Sequence, residues 1–276
     1  MMALRYDFIL PSEQTEILLA WLSDLPFYAF EETETGISAY MEEGGDKADL
    51  EERLVQLAET IPFRLTRTTL EEQNWNALWE SCFHPVRVGG FCGIRAEFHP
   101  PFEDVLHDLI IQPKMAFGTG HHETTFMMVS LMESLAFLGA RVLDFGCGTG
   151  ILGVLAAQRG AAWVDAVDIE AAAVENTLEN AQRNGVSGQL AVFQGDLTAA
   201  PGSAIYQIIL ANINRNVILD ALPALKQKLD RGGTLLISGI LSSDREMVFT
   251  ATTTHGFQLI SQAMRGDWLA ARLERA

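Results

Sequence analysis

The sequence predicts an α/β protein, a doubly wound parallel sheet preceded by a small α+β module. From Arg141 onward, short apolar runs alternate with helical stretches, the pattern of a parallel sheet with helices on both faces. Upstream, six short elements follow one another in the order β-α-β-β-α-β. Charge divides the chain as well. Residues 1–70 carry 5 basic and 14 acidic side chains, net −9, whereas 71–115 and 116–276 each carry net −4.

In the front module, Leu4–Leu10 reads as a strand, and Ser12 can cap a helix over Glu13–Leu22. Strands near Phe27–Thr33 and Gly36–Met41 flank a turn at Glu34–Gly36. Asp49 can cap a second helix running to about Glu59, and Phe63–Thr68 closes the series. That order is the split β-α-β, ferredoxin-like arrangement. Residues 71–115 read as a connector with some strand content. Glu71–Ser81 suits a helix carrying Trp75 and Trp79, while His84–Pro85 and Pro100–Pro101 interrupt regular structure. Three parts are therefore expected: 1–70, a connector at 71–115, and 116–276.

The last part reads more clearly. Val142–Phe145, Trp163–Asp168, Leu190–Phe193, Ile205–Ala211 and Thr234–Ser238 are strands. Helices are expected over Gly150–Arg159, Ala171–Asn184, Val217–Leu229 and Ser243–His255. Gln258–Ala263 and Trp268–Leu273 can form a hairpin across Arg265–Gly266.

Composition narrows the function classes. Hydrophobic residues at 48% and charged residues at 20% suit a buried core and exclude wholesale disorder. A formal charge of −17 lacks the footprint that favours phosphate backbones, so no direct nucleic-acid partner is expected. Cys82, Cys92 and Cys147 fit neither a metal spacing nor a disulfide framework, which implies reduced thiols and a cytoplasmic location. The start, MMALRYDFIL, lacks the pattern of a signal peptide, and no apolar run reaches membrane-spanning length. A monomer without membrane contact is expected.

The central signal is the run Val142-Leu143-Asp144-Phe145-Gly146-Cys147-Gly148-Thr149-Gly150. Glycines there allow positive φ and close approach of a ligand, and the loop amides with the following helix start favour a negative group. Asp168 ends the next strand, 20 residues beyond Gly148, where a carboxylate can accept from two ribose hydroxyls. The pair reads as a nucleoside-cofactor site. Gly148–Gly153 also matches a dinucleotide fingerprint, which keeps an NAD-binding oxidoreductase as the alternative. An acidic Asp144 ahead of Gly-x-Gly-x-Gly resembles instead motif I of class I S-adenosylmethionine-dependent methyltransferases. Loop amides suit that cofactor's carboxylate, and Asp144 suits its cationic end. In this class Asp196, in Gln194-Gly195-Asp196-Leu197, lies near the adenine amine; by itself it reads as a loop or cap residue. Asn212, in Leu210-Ala211-Asn212-Ile213-Asn214, ends the fourth strand beside the glycine loop and can orient an acceptor amine through its amide oxygen. Asn214 and Asn216 read as turn and capping residues.

Met115-Ala116-Phe117-Gly118-Thr119-Gly120-His121-His122-Glu123-Thr124-Thr125 is a glycine-punctuated loop before a helix start. Its two histidines lack a third ligand at useful spacing, so no metal is expected. This loop, with the Val142–Gly150 motif 16 residues on, closely resembles the methyltransferases of large-subunit ribosomal protein L-eleven. Trp75 with Phe83-His84-Pro85, Leu210-Ala211-Asn212-Ile213 and Ser238-Gly239-Ile240-Leu241 extend the resemblance from about Trp75 to the C-terminus. It implies a Rossmann-like class I methyltransferase domain over 116–276, preceded by a ferredoxin-like substrate-recognition domain over 1–70. It implies methylation of lysine side-chain and N-terminal amines of that ribosomal protein, with S-adenosyl-L-methionine as cofactor. By position it assigns cofactor contacts to Thr125, Gly146, Asp168 and Asn212, with Phe117, Thr119, Gly148 and Asp196 beside them and Asn212 as the catalytic residue. The acidic front module would attract a basic ribosomal protein. Other protein or small-molecule amines, RNA and a non-catalytic cofactor-binding module stay as further readings. His121 and His122 are the candidates for a general base.

Overall fold

A computed structural model describes residues 3–11, 14–22, 25–27, 29–33, 35–42, 47–70, 84–112 and 122–276. The chain divides into two units, 1–82 and 83–276.

The first unit contains β1 (Ala3–Ile9), α1 (Thr15–Leu22), β2 (Ala29–Thr33), β3 (Gly36–Glu42), α2 (Lys47–Thr60) and β4 (Arg64–Leu70). Its sheet runs β2-β3-β1-β4 with every neighbouring pair antiparallel. Strand alternation sends Leu4, Tyr6 and Phe8 to one face, where they are almost fully buried. Leu18 and Leu22, four residues apart on α1, and Leu50, Leu54 and Leu57 on α2 complete that core. Aromatic edges tighten it: Phe8 meets Phe63 at 5.1 Å and Tyr6 meets Phe27 at 5.4 Å. The ferredoxin-like arrangement read from element order is the one found. Helix α2 begins at Lys47, so Asp49, expected as its cap, falls inside it. Ser12 and the helix expected at 71–81 lie outside the described residues.

The second unit opens with β5 (Val86–Val88), β6 (Cys92–Arg95) and β7 (His107–Ile110), a three-stranded sheet in the order β5-β6-β7. The strand content expected of the connector is thus concentrated here, and it is core structure. Val88, Phe91, Cys92, Ile94, Leu109 and Ile111 share one buried cluster with residues of the large sheet.

Then follow α3 (Glu123–Met132), β8 (Arg141–Phe145), α4 (Ile151–Gln158), β9 (Trp163–Asp168), α5 (Ala171–Arg183), β10 (Leu190–Gln194), β11 (Tyr206–Asn212), α6 (Arg215–Lys228), β12 (Leu229–Leu241), α7 (Arg245–Thr254), β13 (Phe257–Arg265) and β14 (Trp268–Arg275). The sheet order is β10-β9-β8-β11-β12-β14-β13; its first five strands are parallel and β14 is antiparallel to both neighbours. Both faces are covered, which explains the near-continuous apolar strands. Val142, Ile208 and Leu210 enter one core; Leu143, Phe145, Ile209 and Ala211 enter the other.

Strand β12 departs from expectation. It spans Leu229–Leu241, much longer than the predicted 234–238. Leu229 pairs with Tyr206 and Thr234 with Ile208, so the turn-like Asp230–Gly233 bulges within the strand instead of ending it. Ser238-Gly239 is a second irregularity, between the Ile237 and Ile240 pairings, with Gly239 at φ +82°.

Candidate active site

Strand β8 marks the place where the chain reverses direction through the sheet, with β9 on one side and β11 on the other. Such a switch point opens a crevice beyond the strands' carboxyl ends. A pocket of about 760 Å³ lies there, lined by Gly146, Gly148, Asp168, Asp196 and Asn212 among others. Five of the cofactor contacts expected from the sequence therefore meet at one cavity.

The glycine loop forms its floor. Gly146, Gly148 and Gly150 have φ of 76°, 57° and 77°, and no described non-glycine residue has positive φ. The sign of φ thus alternates along 146–150, a pattern that curls the backbone, and the Gly148 and Gly150 amides are taken up within the fold by Asp168 Oδ2 and Cys147 O. The turn is pinned at its entry, where the Gly146 and Cys147 amides both donate to Val167 O, at 2.8 and 3.1 Å. A Cβ on Gly146 would lie 2.1 Å from Ile213 Cγ2, so only glycine fits.

Asp168 fixes the opposite wall. Its Oδ2 accepts the Gly148 N–H at 2.9 Å and its Oδ1 accepts the Glu170 N–H at 3.0 Å. Each oxygen keeps a second lone pair for a ligand hydroxyl. Asp196 caps a one-turn 3-10 helix at 197–199, accepting from the Thr198 N–H and hydroxyl at 2.8 and 2.6 Å. Those bonds hold its carboxyl below the usual range. It is a capping residue and a pocket residue at once.

Asn212 ends β11. Its Nδ2 donates to Thr125 Oγ1 at 3.2 Å, which sets the amide plane, while its Oδ1 is buried with no hydrogen-bond partner among the described residues. A buried acceptor left unmatched costs about 1–3 kcal/mol and calls for a donor. Thr125 itself is fully buried behind Asn212 and is not part of the pocket wall. Phe117, Thr119 and His121 lie outside the described residues. Asn214 is the N-cap of α6, accepting the Val217 N–H at 3.1 Å, and Asn216 accepts from Arg215.

Asp144 corrects an expectation. It does not face the pocket toward a ligand's cationic end. It is 1% exposed, and its Oδ2 accepts the Gly153 N–H of α4 at 2.9 Å. Burial pushes its carboxyl up to about 7, opposed by the Gly153 bond and aided by nearby Asp168. The acid is harder to ionise folded than unfolded, so its contribution favours folding below pH ~4 and is lost as pH rises through about 7. Asp144→Asn keeps an acceptor for Gly153. The stability difference between wild type and Asp144→Asn, measured by denaturant titration from pH 4 to 8, is expected to shift toward the variant as pH rises. A difference independent of pH would refute this assignment.

His122, the general-base candidate that falls within the described residues, lines the pocket together with Thr124, and sequence reading missed Phe145, Ile169 and Trp268 as parts of the wall. His122 caps α3, its Nδ1 lying 2.7 Å from Thr124 Oγ1, and its ring meets Trp268 edge-on at 4.8 Å. Ile169 was findable as the apolar neighbour of Asp168. Trp268 carried no local signal; the antiparallel docking of β14 on β12 brings it there. Among the described residues no three His, Cys, Asp or Glu side chains cluster as a metal site requires.

The family model described as Ribosomal protein L11 methyltransferase (PrmA) matches residues 21–276. The chain belongs to the ribosomal protein L11 methyltransferase family. The Ribosomal protein L11 methyltransferase of Porphyromonas gingivalis is 40% identical over 262 residues, covering 93% of this chain and 89% of that relative. The Bacteroides fragilis protein of the same name is 33% identical over 260 residues, covering 93% and 92%. A crystal structure of ribosomal protein L11 methylase from Lactobacillus delbrueckii subsp. bulgaricus superposes with a TM-score of 0.63 at 28% identity, covering 70% of this chain and 99% of that one. The fold of the second unit is accordingly the Rossmann-like class I methyltransferase fold, and membership of this family sets aside the oxidoreductase alternative.

Proposed function

We propose that this chain uses S-adenosyl-L-methionine to methylate amines of ribosomal protein L11, on lysine side chains and at the N-terminus. The observation that carries the reading is the unmatched, buried Oδ1 of Asn212 in a pocket floored by a glycine loop. An amine is a donor of the kind that oxygen lacks, and Gly146 and Gly148 line the pocket without a side chain to fill it.

Gly146 and Gly148, which line the pocket without side chains, would leave the cofactor's amino-acid end room against the loop backbone, Asp168 would take the ribose hydroxyls, and Asp196 would lie toward the adenine amine. When bound, the cofactor supplies a methyl group on a sulfonium, ready for in-line displacement. The protein's own task is to present a neutral amine. Free lysine has a pKa near 10.4, so a neutral amine must be favoured by desolvation. Phe145 and Trp268 supply apolar walls that exclude water. Asn212 Oδ1, fixed through Thr125, accepts an amine N–H and so turns the nitrogen lone pair toward the methyl group. Proximity and orientation then provide most of the acceleration. Burial holds Asn212 Oδ1 in place without a formal charge, which suits an acceptor that must lose its own.

The front module, with its excess of carboxylates, is proposed to recognise the basic substrate protein by charge. The deciding experiment incubates the chain with labelled cofactor and purified L11 and reads intact and peptide masses. Mass additions in steps of one methylene, located on amines, are the expected result. An unmodified L11, despite demonstrated cofactor binding, would redirect the assignment to another amine-bearing substrate.

A further inference from the structure

Helix α5 and its C-cap Asn184 present one face made of side-chain amides and a hydroxyl: Asn176, Thr177, Asn180 and Asn184, at the i, i+3, i+4 spacing that shares a helix face. Three of them are fully buried, although none lines the pocket. Their bonds divide into two sets. Thr177 Oγ1 donates to Gly148 O at 3.0 Å, and Asn180 Nδ2 donates to Thr149 O at 2.9 Å. These are two consecutive carbonyls of the glycine loop. The second set holds the strand end after β7. Asn180 Oδ1 accepts from Gln112 N at 3.0 Å, Asn176 Nδ2 donates to Gln112 O at 2.9 Å, and Asn184 both accepts from Ile110 N at 3.0 Å and donates to Ile110 O at 2.7 Å.

We propose that Thr177 and Asn180 are positioning residues for the cofactor site, acting through the glycine loop from behind it. A peptide plane is rigid, so fixing a carbonyl on one side fixes the next residue's N–H on the other. Gripping the Gly148 and Thr149 carbonyls sets two successive planes of the loop beyond its entry, where the Gly146 and Cys147 amides are already pinned to Val167 O. Asn180 does this while its other amide atom holds Gln112, so one side chain ties the loop to the β7 strand end. Asn184 performs the same amide chemistry one turn on without touching the loop, which makes it an internal control.

The proposal rests on the cofactor reading above, and the test separates the two. Binding of S-adenosylmethionine to the full chain is measured by calorimetry, with thermal unfolding and steady-state kinetics in parallel. Each lost bond to the loop is expected to raise the cofactor Kd and KM about 5- to 10-fold, with a smaller change in kcat. Thr177→Val removes the hydroxyl in the same volume and should show this loss; Thr177→Ser restores the hydroxyl and should return Kd to within about twofold of wild type. Asn180→Ala should lose more, and Asn184→Ala should lower the unfolding temperature while leaving Kd unchanged. Equal cofactor affinity in wild type, Thr177→Val and Asn180→Ala would overturn the positioning role. So would a loss in Asn184→Ala as large as that in Asn180→Ala, because the effect would then follow stability alone. A wild-type chain that binds no cofactor would overturn the cofactor reading, and the proposal with it.

Discussion

Asn212→Ala is expected to lower kcat by about 10²- to 10³-fold, the scale of removing one preorganised polar contact from a reacting centre. The cofactor Kd is expected to stay within about fivefold of wild type. The asymmetry follows from the geometry. Asn212 spends its Nδ2 on Thr125 and keeps Oδ1 buried and unmatched, which is the arrangement of a group held ready for a second molecule. Losing it leaves the glycine loop and Asp168 untouched, so the larger share of cofactor contacts persists. Asn212→Asp sharpens the test. It retains an acceptor oxygen but adds a negative charge that favours the protonated amine, so its activity should recover only toward higher pH. Single-turnover rates with saturating cofactor, measured across pH, report both effects. Equal rates in wild type and Asn212→Ala would remove the orienting role.

The second large effect falls on Gly146. Gly146→Ala places a Cβ 2.1 Å from Ile213 Cγ2 in a residue whose φ is +76°. Backbone strain of about 1–2 kcal/mol adds to the clash. Since the pocket floor must move to relieve it, cofactor affinity should drop by about 100-fold or more, equivalent to nearly 3 kcal/mol. The double variant Gly146→Ala/Ile213→Ala removes the colliding methyl and leaves the strained φ. It should regain part of the affinity, and the non-additivity isolates the steric part. Calorimetric titration of the four proteins in this cycle, with unfolding curves to verify folding, measures it. Full affinity in Gly146→Ala would mean the loop is far more pliable than its close packing implies.

Much of this was legible in sequence because it is periodic or glycine-marked. Alternation located β8, β9 and β11, and the spacing of Gly146, Asp168 and Asn212 placed them at three strand ends that the switch in strand order brings together. Other features were hidden for identifiable reasons. Asp144 reads as a ligand contact because an acidic residue ahead of glycines suggests charge facing a cofactor. Its inward direction is decided by the strand's facing, which sends it to Gly153. Asp230-Arg231-Gly232-Gly233 has turn chemistry, yet pairing with β11 on both sides absorbs it as a bulge. The amide face of α5 looks like an ordinary polar helix face until its partners, distant in sequence, are known. Trp268 reaches the pocket solely through tertiary pairing.

That last contact bears on how the protein is made. Strand β14 lies between β12 and β13 although it follows both in sequence. While the chain is being synthesised from its N-terminus, β13 has no sheet neighbour, and the pocket lacks its indole wall, until β14 has left the ribosome and threaded into the gap. A nascent chain that has assembled the glycine loop therefore still lacks one wall of the pocket until a single strand inserts between its two neighbours.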